Sequence, residues 1–182
     1  MTQLYEYNIE NVLTSAINAQ KEGLYYFIPT KTVVFAGYNN SVESMFCKDN
    51  GIQIIDVKNE GGVIVSGANS LAIGYLSKKI DNTANKEFAM VLIEWLSKKG
   101  LIVSTQDNDI LVDGKYKVAS YSSRRFGDII FSAFHLSFNV NLQFIERLCK
   151  KPMNKIPKGL DELKISHKDI YSLFLANIDK FN

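Results

Sequence analysis

The stretch IQIIDVKNEGGVIVSGANSLAIGYL, residues 52–76, decides the fold. Its runs IQIIDV (52–57), VIVS (63–66) and SLAIGYL (70–76) are rich in β-branched and apolar residues and read as three strands, the first two separated by the polar glycine loop KNEGG. Strands so close together leave no room for a crossover helix, which favours antiparallel pairing. Upstream, LYYFIPTKTVVFAG (24–37) reads as two further strands joined tightly at Pro29. Ahead of it, Ile9, Val12, Leu13, Ala16 and Ile17 recur at helical spacing between a capping Asn8 and Gly23, and Ser41 is placed to cap a short helix ending near Gly51.

Downstream, Phe88, Val91, Leu92, Trp95 and Leu96 repeat the helical pattern over 84–100, with Gly100 where a left-handed terminator belongs. Trp95 at that spacing reads as core. LIVST (101–105), DILV (109–112) and YKVASYSS (116–123) are strands, the last two linked by the Asp113-Gly114 hairpin signal. A strand over 128–138 places Ile130, Phe134, Leu136 and Phe138 on one parity and His135 on the other, which predicts a partly exposed strand histidine. Two helices close the chain, one near 141–150 and one capped by Ser166 with the stripe Ile170, Leu173, Phe174, Ile178. Strands outnumber helices, so the expected class is α+β: a mixed, mostly antiparallel sheet flanked by helices, in one domain spanning 1–182.

Composition narrows the function classes. The 182 residues are 46% hydrophobic, enough for one sizeable core. Lys+Arg against Asp+Glu is 21 against 19, a net charge of +2 that disfavours a nucleic-acid-wrapping protein. No apolar run reaches the roughly 18–20 residues needed to cross a bilayer, and the opening MTQLYEYNIE carries no secretion signal, so a cytoplasmic protein with reduced Cys47 and Cys149 is expected. Two histidines and two cysteines draw no closed zinc site. Charge is nonetheless polarised: residues 147–168 hold seven basic against two acidic residues, while residues 1–60 hold four lysines against seven carboxylates. GVIVSGANS lacks the Gly-Lys-Ser/Thr ending of a phosphate loop, and no nucleophile stands beside a base. Cys149, among Arg147, Lys150 and Lys151, is the one thiol whose neighbours would lower its pKa.

Three blocks, in order, carry a family resemblance. TVVFAGYNN…CKDNGIQIIDVKNEGGVIVSGANSLAIGYL resembles the run from "V-V-x-G-x-x-Q-N" to "G-I-x-V-V-R-R-x-S-G-G-G-A-V-x-H" of lipoate-protein ligase catalytic domains, relatives of the biotin-protein ligases. NDILVDGKYKVASYSSRR is similar to "N-D-L-x-V-x-G-x-K-V-S-G-S-A-x-R", and SAFHLSFNVNL lies where "H-G-T-L-L-x-x-x-D-L" belongs. The resemblance implies a biotin/lipoate-ligase-like fold related to class II synthetases, without the accessory C-terminal domain of many members. It also implies ATP-dependent activation of a lipoyl-type carboxylate (lipoate, octanoate or biotin) to an acyl-adenylate, then transfer to a carrier-domain lysine.

On that resemblance Lys117 is the catalytic lysine that touches carboxylate and α-phosphate. Gly61 and Gly62, with Asn59 and Ser66, line the substrate and nucleotide site, and Asn108 and Asp109 lie near the phosphates as possible magnesium contacts. The chain departs from the family where Asp56 and Val57 replace the arginine pair, Glu60 a glycine and Ser66 the histidine. These changes leave open the alternative of a non-catalytic ligase-fold binding module. Lys155 and Lys158 fall where the family has a lysine-bearing connection near the adenylate, and a basic stretch suits an acidic carrier domain. Reversing Lys150, Lys151 and Lys155 to Glu is expected to slow capture of an acidic carrier and flatten its salt dependence, measured by stopped-flow association at low and high salt. A collapse of small-ligand binding in the same variant would instead place these lysines inside the pocket.

Overall fold

The computed structural model describes residues 5–6, 22–29, 31–36, 42–56, 63–78, 83–150 and 153–181. Its strands are β1 (Tyr5–Glu6), β2 (Gly23–Phe27), β3 (Val33–Ala36), β4 (Gln53–Asp56), β5 (Val63–Ser66), β6 (Ser70–Ser77), β7 (Val103–Gln106), β8 (Asp109–Val112), β9 (Tyr116–Phe126), β10 (Ile129–Ser137) and β11 (Ile156–Pro157). Its helices are α1 (Ser44–Asp49), α2 (Thr83–Lys98), α3 (Leu142–Leu148) and α4 (His167–Ala176). The helix expected over 8–22, the cap at Ser41 and the KNEGG loop lie outside the described residues.

The large sheet runs β1-β2-β6-β10-β9-β8-β7, with β11 pairing to β9; a small sheet runs β4-β3-β5. Pairing is antiparallel except at β1–β2, β3–β4 and β9–β11. The two strands read as tightly joined across Pro29 exist, but they do not pair with each other: β2 joins the large sheet and β3 the small one. Every residue of β2 is buried, with Leu24 and Tyr26 in the main core and Tyr25 and Phe27 in a second cluster, so this strand needs a sheet neighbour on the inside, which β6 supplies.

One face of the large sheet carries the main core. Leu71, Ile73, Phe134, Leu136, Ile110 and Val112 meet Phe88, Leu92 and Leu96 of α2 and Ile170, Leu173 and Phe174 of α4. Phe88 stacks on Phe134 at 5.3 Å between centroids and also touches Phe174 at 4.8 Å. Trp95 packs at the margin of this core, with the Lys99 ammonium 4.4 Å from its ring. The sequence signals for helix ends are met at α4, where Ser166 and Asp169 form a reciprocal capping box. At α1 the N-cap is Glu43, without a side-chain hydrogen bond. A third cluster joins Val34, Ala36, Cys47, Ile52 and Leu148, seating the small sheet against α1 and α3.

Candidate active site

Four ladders place one row of residues across the large sheet: Phe27 pairs with Ala72, Ala72 with His135, His135 with Ser120, and Ser120 with Asp109. The next row is Tyr25, Gly74, Ala133 and Ser122. Residues in register share a face, and this one lies opposite the face that Ile73, Phe134 and Leu136 turn to the helices. At one end Tyr25, Phe27, Leu76, Ile129 and Phe131 make a separate apolar cluster, with Tyr25 edge-on to Phe131 at 6.2 Å. Gly74 permits it, because a Cβ there would overlap the Phe131 ring. Between this end and Asp109 the floor carries only small side chains and His135.

The far end is ionic. Asp109 accepts from the Lys117 ammonium through Oδ1 at 2.9 Å and from the Lys155 ammonium through Oδ2 at 2.9 Å. The Ser120 hydroxyl donates to the same Oδ1 at 3.1 Å. Lys155 also donates to the Gln106 carbonyl at 3.0 Å and pairs with Asp107 at 3.3 Å. Side-chain exposure is 26% for Lys117, 14% for Asp109 and 16% for Lys155, so the pairs are partly shielded and are worth more than fully exposed surface pairs. Burial by itself pulls the Lys155 ammonium down, but hydrogen bonds and charge attraction from Asp109 and Asp107 outweigh it, and its pKa stands above the ordinary lysine value. Asp109, shared between the two ammonium groups, and Asp107 at the rim together balance their charge, with Lys117 and Lys155 fixed side by side.

Local sequence explains how these groups meet. The ladder slips between Ile110 and Leu111, so that Ile110 faces Ala119 while Leu111 faces Lys117. This bulge absorbs Val118 and puts Lys117 on the same face as Ser120 despite their odd spacing. Asp107 and Asn108, at φ 51 and 65, form the two-residue turn between β7 and β8, which delivers Asp109 as the first residue of β8. β11 runs parallel to β9, with Ile156 N donating to Lys115 O and Lys158 N to Lys117 O, and this carries Lys155 to Asp109. Lys158 lies over the Tyr116 ring at 4.6 Å.

The sequence-derived site residues thus separate. Lys117 and Asp109 come together and Lys155 joins them. Asn108 is exposed on the α2 side of the turn, where it lines a groove of about 490 Å³ with Ala89, Met90, Ile93 and Tyr121. Ser66 is fully buried at the junction of the two sheets, its hydroxyl 3.3 Å from that of Ser70. Asn59, Gly61 and Gly62 lie outside the described residues. A magnesium ion does not fit Asn108 and Asp109 as arranged, since they diverge and both Asp109 oxygens already hold ammonium groups. Among the described residues, no group of three or more His, Cys, Asp or Glu side chains could hold a metal ion, and no helix is long and apolar enough to cross a membrane.

One expectation needs correction. Cys149 does not have a depressed pKa: burial, and then Cys47 nearby, push its thiol up, while the Arg147 guanidinium lies over the Phe46 ring at 4.9 Å. His135 sits on the less apolar face and is partly exposed, as its parity predicts, while its Nε2 is shielded and has no hydrogen-bond partner among the described residues. Burial, and secondarily the Lys117 charge, bring its pKa down to about 4. Parity gives the face of a strand residue but not what shields it, and the 46-residue separation of Lys155 from Asp109 has no local signal at all.

The family model for the lipoyl protein ligase A/B catalytic domain matches residues 3–174. Among solved structures, the bi-partite lipoate protein ligase of Thermoplasma acidophilum, described with its E2 lipoyl domain, superposes with a TM-score of 0.75 at 15% identity, covering 99% of this chain and 83% of that one. A lipoate-protein ligase A bound with ATP gives a TM-score of 0.75 at 16% identity, with 100% and 83% covered. The Aquifex aeolicus biotin protein ligase in complex with biotin and ATP gives 0.57 at 10% identity, with 100% and 70% covered. No curated protein matches the chain at significant sequence similarity.

The His135 environment predicts an acid-sensitive fold. Above about pH 6.5 the ring is neutral folded and unfolded; between there and about pH 4 the unfolded chain takes up a proton that the native ring refuses, so stability falls with pH. Urea denaturation at pH 7 and pH 4.5 should show His135→Leu losing less stability than wild type across that interval, by on the order of 1–3 kcal/mol. Equal losses in both proteins would contradict the assignment.

Proposed function

Because the chain belongs to the lipoyl protein ligase A/B catalytic domain family, we propose that it is a lipoate-protein-ligase-like enzyme that activates a carboxylic acid with ATP and transfers the acyl group to a carrier-domain lysine. The supporting observation is the position of Lys117, held by Asp109 beside Lys155 at the charged end of a sheet face whose other end is apolar. An acyl chain with a terminal carboxylate has the same polarity along its length.

In the first step a carboxylate oxygen attacks the α-phosphorus of ATP, an acyl-adenylate forms and pyrophosphate leaves. Negative charge builds on the transferring phosphate, and the ammonium groups of Lys117 and Lys155 are fixed in advance by Asp109 to meet it. In the second step the ε-amine of the carrier lysine attacks the acyl carbonyl, AMP leaves with the bonding electrons, and the amine's proton passes to solvent. The chain acts as a single catalytic unit in the cytoplasm, and its partner is an acidic carrier domain. Structures of relatives containing lipoate ligases, ATP, biotin and a lipoyl domain support each ingredient by analogy of fold.

Lys155 is part of the ionic cluster rather than a free surface charge. Reversal of Lys150, Lys151 and Lys155 is therefore expected to weaken small-ligand binding as well as carrier capture.

The test is ATP–pyrophosphate exchange run separately with lipoate, octanoate and biotin. Wild type should exchange with at least one, and Lys117→Ala should lower that rate by about 10²-fold or more while keeping a native circular dichroism spectrum. Absence of exchange with every acid, together with tight acid binding, would establish the non-catalytic binding module that the acidic Asp56 and Glu60 favour.

A further inference from the structure

His135 occupies the middle of the row that joins the two ends of the site. Its register neighbours are Ala72, which has no hydrogen-bonding side chain, and Ser120, whose hydroxyl is committed to Asp109. The neighbouring row opposite it is Gly74, Ala133 and Ser122, equally small. Nε2 is nonetheless shielded from water, and no described side chain or backbone group pairs with it. Leaving such a nitrogen unmatched is unfavourable, and a leucine at this position would remove the penalty. Nothing in the packing of the sheet requires an imidazole here.

Asp109 and His135 stand two strands apart, roughly 10 Å across the sheet. An acid whose carboxylate meets Lys117 and whose chain runs toward Phe27 and Tyr25 passes His135 several carbons from the carboxylate. We propose that His135 selects a substrate acid whose chain carries a hydrogen-bonding group several carbons from the carboxylate, in preference to an acid with a plain hydrocarbon chain. The inference rests on the acid-binding role proposed above and names its substrate class. A neutral imidazole suits the task, since its nitrogen can donate to a carbonyl or hydroxyl oxygen, or accept from an N–H or O–H, without importing a charge. Burial holds the ring in that neutral form at physiological pH.

A pocket with a buried hydrogen-bonding group discriminates strongly against a ligand that leaves it unpaired, while a purely apolar pocket barely rejects an added hydroxyl. Isothermal titration of the full chain with octanoate, lipoate, 6-hydroxyoctanoate and biotin reads this directly. Wild type should bind 6-hydroxyoctanoate or biotin at least about ten-fold more tightly than octanoate. His135→Leu should abolish that preference while binding octanoate at least as well as wild type does, and His135→Gln, which keeps a hydrogen-bonding group, should retain part of it. Equal affinity for octanoate and the polar-chain acids in wild type would overturn the inference. So would a preference that survives unchanged in His135→Leu, or a loss in that variant that is equal for all four acids. If no acid binds wild type at all, the acid-binding reading itself fails and this inference falls with it.

Discussion

A single carboxylate between two ammonium groups organises the site. Asp109 holds Lys117 through one oxygen and Lys155 through the other, at 2.9 Å each, and so ties β8, β9 and the segment leading into β11 to one point. Lysine side chains are long and lose considerable rotamer freedom when fixed. Asp109 fixes them during folding, which under the proposed function leaves the charges in place before an anion arrives. The same carboxylate keeps the pair from repelling each other in a partly shielded setting, where like charges a few ångströms apart would otherwise be costly.

The remainder of the fold places that point at one end of a sheet face. α2 and α4 cover one face of the large sheet with an aromatic-rich core, which leaves the other face free to carry small residues in register. Gly74 lets Phe131 lie down on the sheet, and the bulge at Ile110/Leu111 turns Lys117 toward Asp109. Both are departures from regular strand geometry, and both shape the candidate site.

Much of this was legible in the sequence. The strands around residues 52–76, the Asp113-Gly114 hairpin and the Ser166 cap all follow from period, turn chemistry and capping residues, but the pairing within 52–76 does not: β4 and β5 flank β3, β4 parallel to it, and β6 lies in the other sheet. Lys117 and Asp109 stand out by family resemblance rather than by spacing, and the fold brings them together. Pro29 was misleading, because a break between two apolar runs looks the same whether the second strand turns back or moves to another sheet. Lys155 joins the cluster only through the pairing of β11 with β9, a long-range contact that no local pattern encodes. For His135, alternation gives the face and the partial exposure but not the shielding of Nε2, which depends on packing across strands.

The central claim is that Asp109, Lys117 and Lys155 act as one unit in acid activation. A double-mutant cycle on pyrophosphate exchange, using Asp109→Asn, Lys155→Met and the double variant, tests it most directly. The account predicts that each single substitution lowers kcat/KM by about ten-fold or more, and that the double variant is no worse than the poorer single one. Losses that multiply independently, or single variants with unaltered exchange, would contradict it.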